Sequence, residues 1–219
     1  MEKYMEKYIA VIFIGIISIF VLNYFYKINT NIESFTNPEN IILLGDSILK
    51  NNSYVVEGQS VQDILASKTD ANVYCFAVND STIKDAYSQI NLLPQHLNEP
   101  STILFLSIGG NDILKRSAEG SLSSIFIEYI ELIELIKERM NMAKIVMINL
   151  YYPTDERYEK YYPLIKKWNE MVDAYSQDEH IYLLNSSTIL IEALDFTSEI
   201  EPSAIGGEKL ANAIASISI

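Results

Sequence analysis

Five short apolar runs rich in β-branched residues recur along the chain, at Ile41–Leu44, Val73–Val78, Thr102–Ile108, Ile145–Leu150 and Ile181–Leu184. The stretches between them change period. Val61–Ala66 and Ile83–Leu93 fill the first two gaps, and Ile125, Tyr129, Leu132, Ile133 and Ile136 recur at helical spacing in the third. Leu164, Ile165, Trp168, Val172 and Tyr175 repeat that spacing in the fourth, and Leu210–Ile217 closes the chain. Strands that alternate with helices, and are apolar on both faces, predict a parallel sheet covered on both sides. Right-handed crossovers then give an α/β, three-layer, doubly wound domain.

In such a sheet, chemistry collects beyond the carboxyl ends of the strands. The first run ends in Gly45, Asp46 and Ser47, and the second in Asn79, Asp80, Ser81 and Thr82. Gly109, Gly110, Asn111 and Asp112 follow the third, Tyr151, Tyr152 and Pro153 the fourth, and Asn185, Ser186 and Ser187 the fifth. One edge of the sheet therefore gathers a serine, an asparagine, carboxylates and glycines that let a ligand approach the backbone.

The N-terminal part reads differently. Tyr8–Tyr26 carries Asn23 as its one strongly polar residue. It is long enough to cross ~30 Å of hydrocarbon, and aromatic residues stand at both ends. Residues 1–27 are expected to be a single-pass anchor and 28–38 a polar linker, with the folded domain at 39–219. Lys3 and Lys7 before the apolar segment, against Lys27 after it, favour a cytoplasmic N-terminus and an extracytoplasmic domain. The formal net charge of −13 disfavours nucleic acid as a partner, since phosphate binding needs Lys and Arg. A single cysteine, Cys75, rules out an intrachain disulfide. No His pair or Cys set has ligand spacing, so neither metal nor cofactor is expected. Oligomeric state does not follow from the sequence.

Three segments carry a resemblance. "GDSIL" at Gly45–Leu49, "SIGGNDIL" at Ser107–Leu114 and "EPSAIGGEKLA" at Glu201–Ala211 stand in an order similar to the first, third and last blocks of the SGNH (GDSL) hydrolase superfamily. The likeness spans about residues 39–217 and implies a flavodoxin-like five-stranded sheet with strand order 2-1-3-4-5. It implies Ser47 as nucleophile and Asn111 as oxyanion donor, beside the backbone N–H groups of Ser47 and Asp80. The chain departs from the pattern in two places. Asp80 stands where the second block has a glycine. Glu201 stands where the last block has its histidine, and Ser198 where it has the aspartate, so the chain resembles a divergent subgroup with Glu-Pro-Ser.

Two other residues are histidines, and neither suits the role of base. His96 precedes the third strand and His180 the fifth, which puts both at the edge opposite Ser47. A five-residue strand separates those edges by ~17 Å. Glu201 is left as the base, and burial or a neighbouring carboxylate would strengthen it by raising its pKa. Asp46, Gly109, Gly110, Asp112, Tyr151 and Tyr152 are expected beside the substrate, and "DERYEKYYP", Asp155–Pro163, adds aromatic residues that suit an acyl chain or a sugar ring. The resemblance implies hydrolysis of a small-molecule, glycan or lipid ester. The alternative is a catalytically silent domain that binds an acyl or glycan group.

Overall fold

The computed structural model describes residues 37–116 and 122–217. Five parallel strands, β1 (Asn40–Gly45), β2 (Asn72–Cys75), β3 (Thr102–Ser107), β4 (Lys144–Ile148) and β5 (Tyr182–Leu184), form a sheet in the order β2-β1-β3-β4-β5. That is the expected order. The central strands β1 and β3 are buried almost throughout, whereas edge strands β2 and β5 are short and half-exposed. Continuous apolar runs are what strands covered on both faces require.

Helices α1 (Val61–Lys68) and α6 (Ala204–Ala215) pack together on one face. On the other face α4 (Leu122–Arg139) packs against both α2 (Ile83–Asn91) and α5 (Tyr162–Asp178). The short α3 (Gly110–Arg116) continues from β3. Ser60 caps α1 through a reciprocal bond with Asp63, and Ser203 caps α6 by accepting from Gly206 N at 3.2 Å. Trp168 of α5 is buried edge-on to Phe126 and inclined to Tyr129, with ring centroids 5.4 and 5.1 Å away.

Two strands end earlier than their apolar patterns suggest, and side-chain amides explain both. After Cys75 the chain follows β1 without strand geometry, and Phe76 N and Ala77 N both donate to Leu43 O. Gln89 of α2 then brackets Gly45, accepting from its N–H at 2.9 Å and donating to its carbonyl at 2.8 Å. Beyond β4, Asn169 of α5 brackets Leu150 in the same way, at 2.9 and 2.6 Å. Each amide supplies the pairing that a neighbouring strand otherwise gives.

An antiparallel hairpin of β6 (Phe196–Thr197) and β7 (Glu201–Pro202) stands apart from the main sheet. Its strands have two residues each, too short for a periodic signal. The apolar segment Tyr8–Tyr26 lies outside the described residues. Among those described, no helix is long and apolar enough to cross a membrane.

Candidate active site

Ser47 sits at the carboxyl end of β1, in a turn that only glycine can precede. Gly45 has φ +137°, and a Cβ there would stand 1.8 Å from Ser107 O. The β1 backbone thus presses against the end of β3. Asp46 is buried, donates its N–H to Ser107 O at 3.1 Å and accepts from Ile48 N at 3.1 Å. The result is a Ser47 only 6% exposed, fixed at the floor of an open depression.

Asn111 opens α3 beside it and donates Nδ2 to Ser81 O at 3.0 Å. That bond uses one of two amide hydrogens. Asp112, fully buried, accepts from Ile83 N at 2.8 Å and from Arg116 Nη1 at 3.1 Å. Arg116 is held in turn by both oxygens of Glu128. Asp112 therefore pins the start of α2 to α3. Ser81 Oγ also accepts from Gln89 Nε2 at 3.1 Å, so the ends of β1, β2 and β3 share one buried network.

Asp80 has φ +60°, the left-handed region. Glycine fits that region without cost and aspartate tolerates it better than most residues, which accounts for an Asp at a glycine position. The backbone N–H groups of Ser47 and Asp80 have no acceptor among the described residues.

Glu201 enters on β7, paired with Thr197. It is 7% exposed and approaches Ser47 from behind the depression. Burial raises its pKa, the Ser47 hydroxyl opposes that rise as a hydrogen-bond donor, and the Asp80 charge adds to it. Glu201 Oε2 is buried with no hydrogen-bond partner. The pKa of Asp46 is lifted to about 8, chiefly by burial, with the Glu201 and Asp112 charges adding to the rise. Tyr54 and Tyr151 also feel the Glu201 charge, after burial, as upward shifts. The site is a pocket of like charges whose carboxyls hold protons unusually well.

The hairpin is held from several directions. Tyr151 Oη donates to Ile200 O, and the Tyr151 ring lies 5.1 Å from that of Phe196. Asn51, fully buried, donates to Pro202 O at 3.2 Å and accepts from Val61 N at 2.8 Å. Asn51 thereby joins the loop after Ser47 to the strand that carries Glu201. It was invisible in the sequence because a polar residue in "LKNNS" reads as loop surface.

Ser47, Asp46, Gly110, Asn111 and Tyr151 all line a cavity with about 530 Å³ of empty space, part of it open to solvent. Its other walls are apolar: Ile113 and Leu114 from α3, Leu150 and Pro153 after β4, and Tyr158, Tyr161, Ile165 and Ile200. Three residues expected beside the substrate do not line it. Gly109 has φ +112° and lies against Trp168, where a Cβ would be 2.5 Å from the indole. Asp112 is engaged beneath the site. Tyr152 packs on Tyr162, ring centroids 5.2 Å apart, and borders a separate polar cleft with Asn149 and Asn169. Asp80 also lies off the cavity wall and acts on it through charge. Ser198, at φ +43°, is exposed in the hairpin turn. His96 and His180 are exposed and do not line the cavity, and His180 Nδ1 is 2.8 Å from Gln177 O. Among the described residues no group of His, Cys, Asp and Glu is arranged to hold a metal.

A five-stranded doubly wound sheet with a serine after β1 and an asparagine after β3 is the architecture of the SGNH class of hydrolases, and Glu201 at the last block is this chain's departure from it. The chain belongs to the GDSL-like lipase/acylhydrolase family, whose model matches residues 43–204. Membership points to hydrolysis of carboxylic esters. No curated protein matches the sequence. Solved structures share the fold. A member of the lipolytic G-D-S-L family from Veillonella parvula is 20% identical with a TM-score of 0.69, over 81% of this chain and 97% of that one. An acetyl xylan esterase is 15% identical with a TM-score of 0.62, over 81% and 100%. A GDSL-like lipase from Bacteroides thetaiotaomicron is 12% identical with a TM-score of 0.63, over 80% and 85%.

Proposed function

We propose that the protein is a serine ester hydrolase that works without histidine, with Ser47 as nucleophile and Glu201 as base. One observation carries the reading: the buried Glu201 carboxylate stands behind a serine that shares an apolar cavity with Asn111. Ser47 Oγ attacks the ester carbonyl and its proton passes to Glu201. Negative charge then develops on the carbonyl oxygen, where Asn111 Nδ2 and the Ser47 amide donate to it. Collapse of the tetrahedral intermediate expels the alcohol, which takes the proton from Glu201. Water, deprotonated by Glu201, then attacks the acyl carbonyl, and as the bond to Ser47 breaks Glu201 returns the proton to Ser47 Oγ and the acid is freed.

A carboxylate of ordinary pKa is a weak base for a hydroxyl. Burial beside Asp80 makes Glu201 a stronger one. The ionised form is the active base, so activity rises with pH through the raised pKa. The apolar walls favour an acyl group over a sugar on the acid side of the ester. A second reading, binding without turnover, is favoured by the orphaned Glu201 Oε2. The test is hydrolysis of p-nitrophenyl acetate, butyrate and octanoate by the full chain and by Ser47→Ala. Turnover that needs Ser47 supports the enzyme. Equal background rates in both, with saturable binding of the octanoate, leave the binding reading in its place.

The reading keeps Tyr8–Tyr26 as a membrane anchor with the domain outside the cytoplasm, on the strength of its apolar length and the flanking lysines. Membrane fractionation with protease protection tests it. Domain fragments seen only inside sealed cells after protease treatment would contradict it.

A further inference from the structure

The segment that closes the cavity also holds the hairpin that presents Glu201. Tyr158 turns its ring to the cavity and donates its hydroxyl to Glu199 Oε2 at 2.8 Å. Arg157 Nη1 donates to Glu199 Oε1 at 2.8 Å, and Asp155 orients that guanidinium by accepting from Nε at 2.9 Å and also from Nη2. Glu199 therefore spends both carboxylate oxygens on the segment Asp155–Tyr158. It does so from a backbone that needs support, because Ser198 and Glu199 have φ of +43° and +78° without being glycine. Ile200, next along, lines the cavity and receives the Tyr151 hydroxyl on its carbonyl. Glu201 follows directly.

We propose that Tyr158, Arg157 and Glu199 form a clasp that seats Glu201 behind Ser47 when an acyl chain fills the cavity, so that these three are positioning residues for esters of medium-length apolar acids. The inference rests on the hydrolase reading above. An acyl chain long enough to touch both Tyr158 and Ile200 presses the two sides of the clasp together. An acetyl group is too short to do so. Chain length therefore acts on the turnover step, beyond its effect on binding.

Exposed ion pairs contribute little to global stability, so loss of the clasp is expected to alter catalysis more than folding. The experiment compares kcat and KM for p-nitrophenyl acetate and octanoate in the full chain, in Tyr158→Phe and in Glu199→Gln, each with its melting temperature. Tyr158→Phe keeps the ring and removes the hydroxyl. Glu199→Gln, at an exposed side chain, is the second variant should the first lose its fold. In both, the octanoate-to-acetate ratio of kcat is expected to fall about tenfold, the scale of one lost hydrogen bond to a charged group, with octanoate KM within about twofold. An unchanged kcat ratio in folded variants overturns the clasp and leaves the hydrolase standing. So does a rise in KM alone, which would make Tyr158 only a wall. Absence of any Ser47-dependent turnover in the parent overturns the hydrolase and the clasp together.

Discussion

The two halves of the site are built by different means. The half with Ser47 and Asn111 is fastened by main chain: β1 lies against β3, Gly45 touches Ser107, and Gln89 and Asp112 bind backbone amides. The half with Glu201 is a two-stranded hairpin fastened by side chains from distant positions, namely Asn51, Tyr151, Tyr158 and Arg157. The first half tolerates almost no change of shape. The second is where a histidine can give way to glutamate without rebuilding the sheet. In the proposed mechanism the nucleophile and oxyanion donor thus stay in a rigid frame, while the base is the adjustable part.

Gly45→Ala attacks the rigid half most directly. Its Cβ has backbone on top of it and no flexible atom that can yield. A loss of at least ~4 kcal/mol, or failure to fold, is expected in urea unfolding. A stability within 1 kcal/mol of the parent would show that β1 and β3 are not locked as described. Asn111→Ala leaves that frame standing and removes one oxyanion donor. Its kcat is expected to fall ~10²–10³-fold, about 3–4 kcal/mol, with little change in melting temperature. A fall confined to KM would assign Asn111 to substrate binding alone.

Asn51→Ala separates the halves. It removes two buried hydrogen bonds, to Pro202 O and from Val61 N, and is expected to cost roughly 1–3 kcal/mol of stability. It is also expected to cut kcat, because the strand carrying Glu201 loses its tie to the Ser47 loop. Full activity in a destabilised Asn51→Ala protein would show that the hairpin is placed without it.

The mildest change to the protein is one of pH alone, and it acts on stability. Asp46 holds its proton up to about pH 8 when folded and loses it near 3.8, the ordinary aspartate value, when unfolded. Between those limits the folded state binds the extra proton, so stability is greatest at the acid end and falls as pH rises toward 8. Asp112 and Glu201, also shifted upward, act with the same sign. The slope from Asp46 alone is at most ~1.4 kcal/mol per pH unit. Asp46→Asn keeps an oxygen for Ile48 N and is expected to flatten the curve. A parent more stable at pH 8 than at pH 5 would contradict the assignment.

The rigid half was legible in the sequence because its causes are local. Continuous apolar runs mark β1 and β3, and Gly45-Asp46-Ser47 and Gly110-Asn111-Asp112 follow them directly. The layered architecture came with the alternation of strands and helices, and the strand order with the family resemblance. The fastening was not legible. Gln89 and Asn169 look like ordinary polar helix positions, and only the fold reveals the backbone groups they bracket. Tyr152 and Gly109 follow strands just as Tyr151 and Gly110 do, yet they turn toward Tyr162 and Trp168. Adjacent residues leave a strand end in opposite directions, and spacing alone does not say which one meets the cavity. Glu201 was found through the last block, but its hairpin was not, since two-residue strands carry no period.

The central claim is that a glutamate activates Ser47. The pH profile of kcat/KM for the parent chain and for Glu201→Gln tests it most directly. The parent should rise with pH through a single ionisation above the ordinary glutamate range, and Glu201→Gln should lose that limb together with at least ~10²-fold in rate. A Glu201→Gln protein with the parent's rate and the parent's profile would show that the base lies elsewhere.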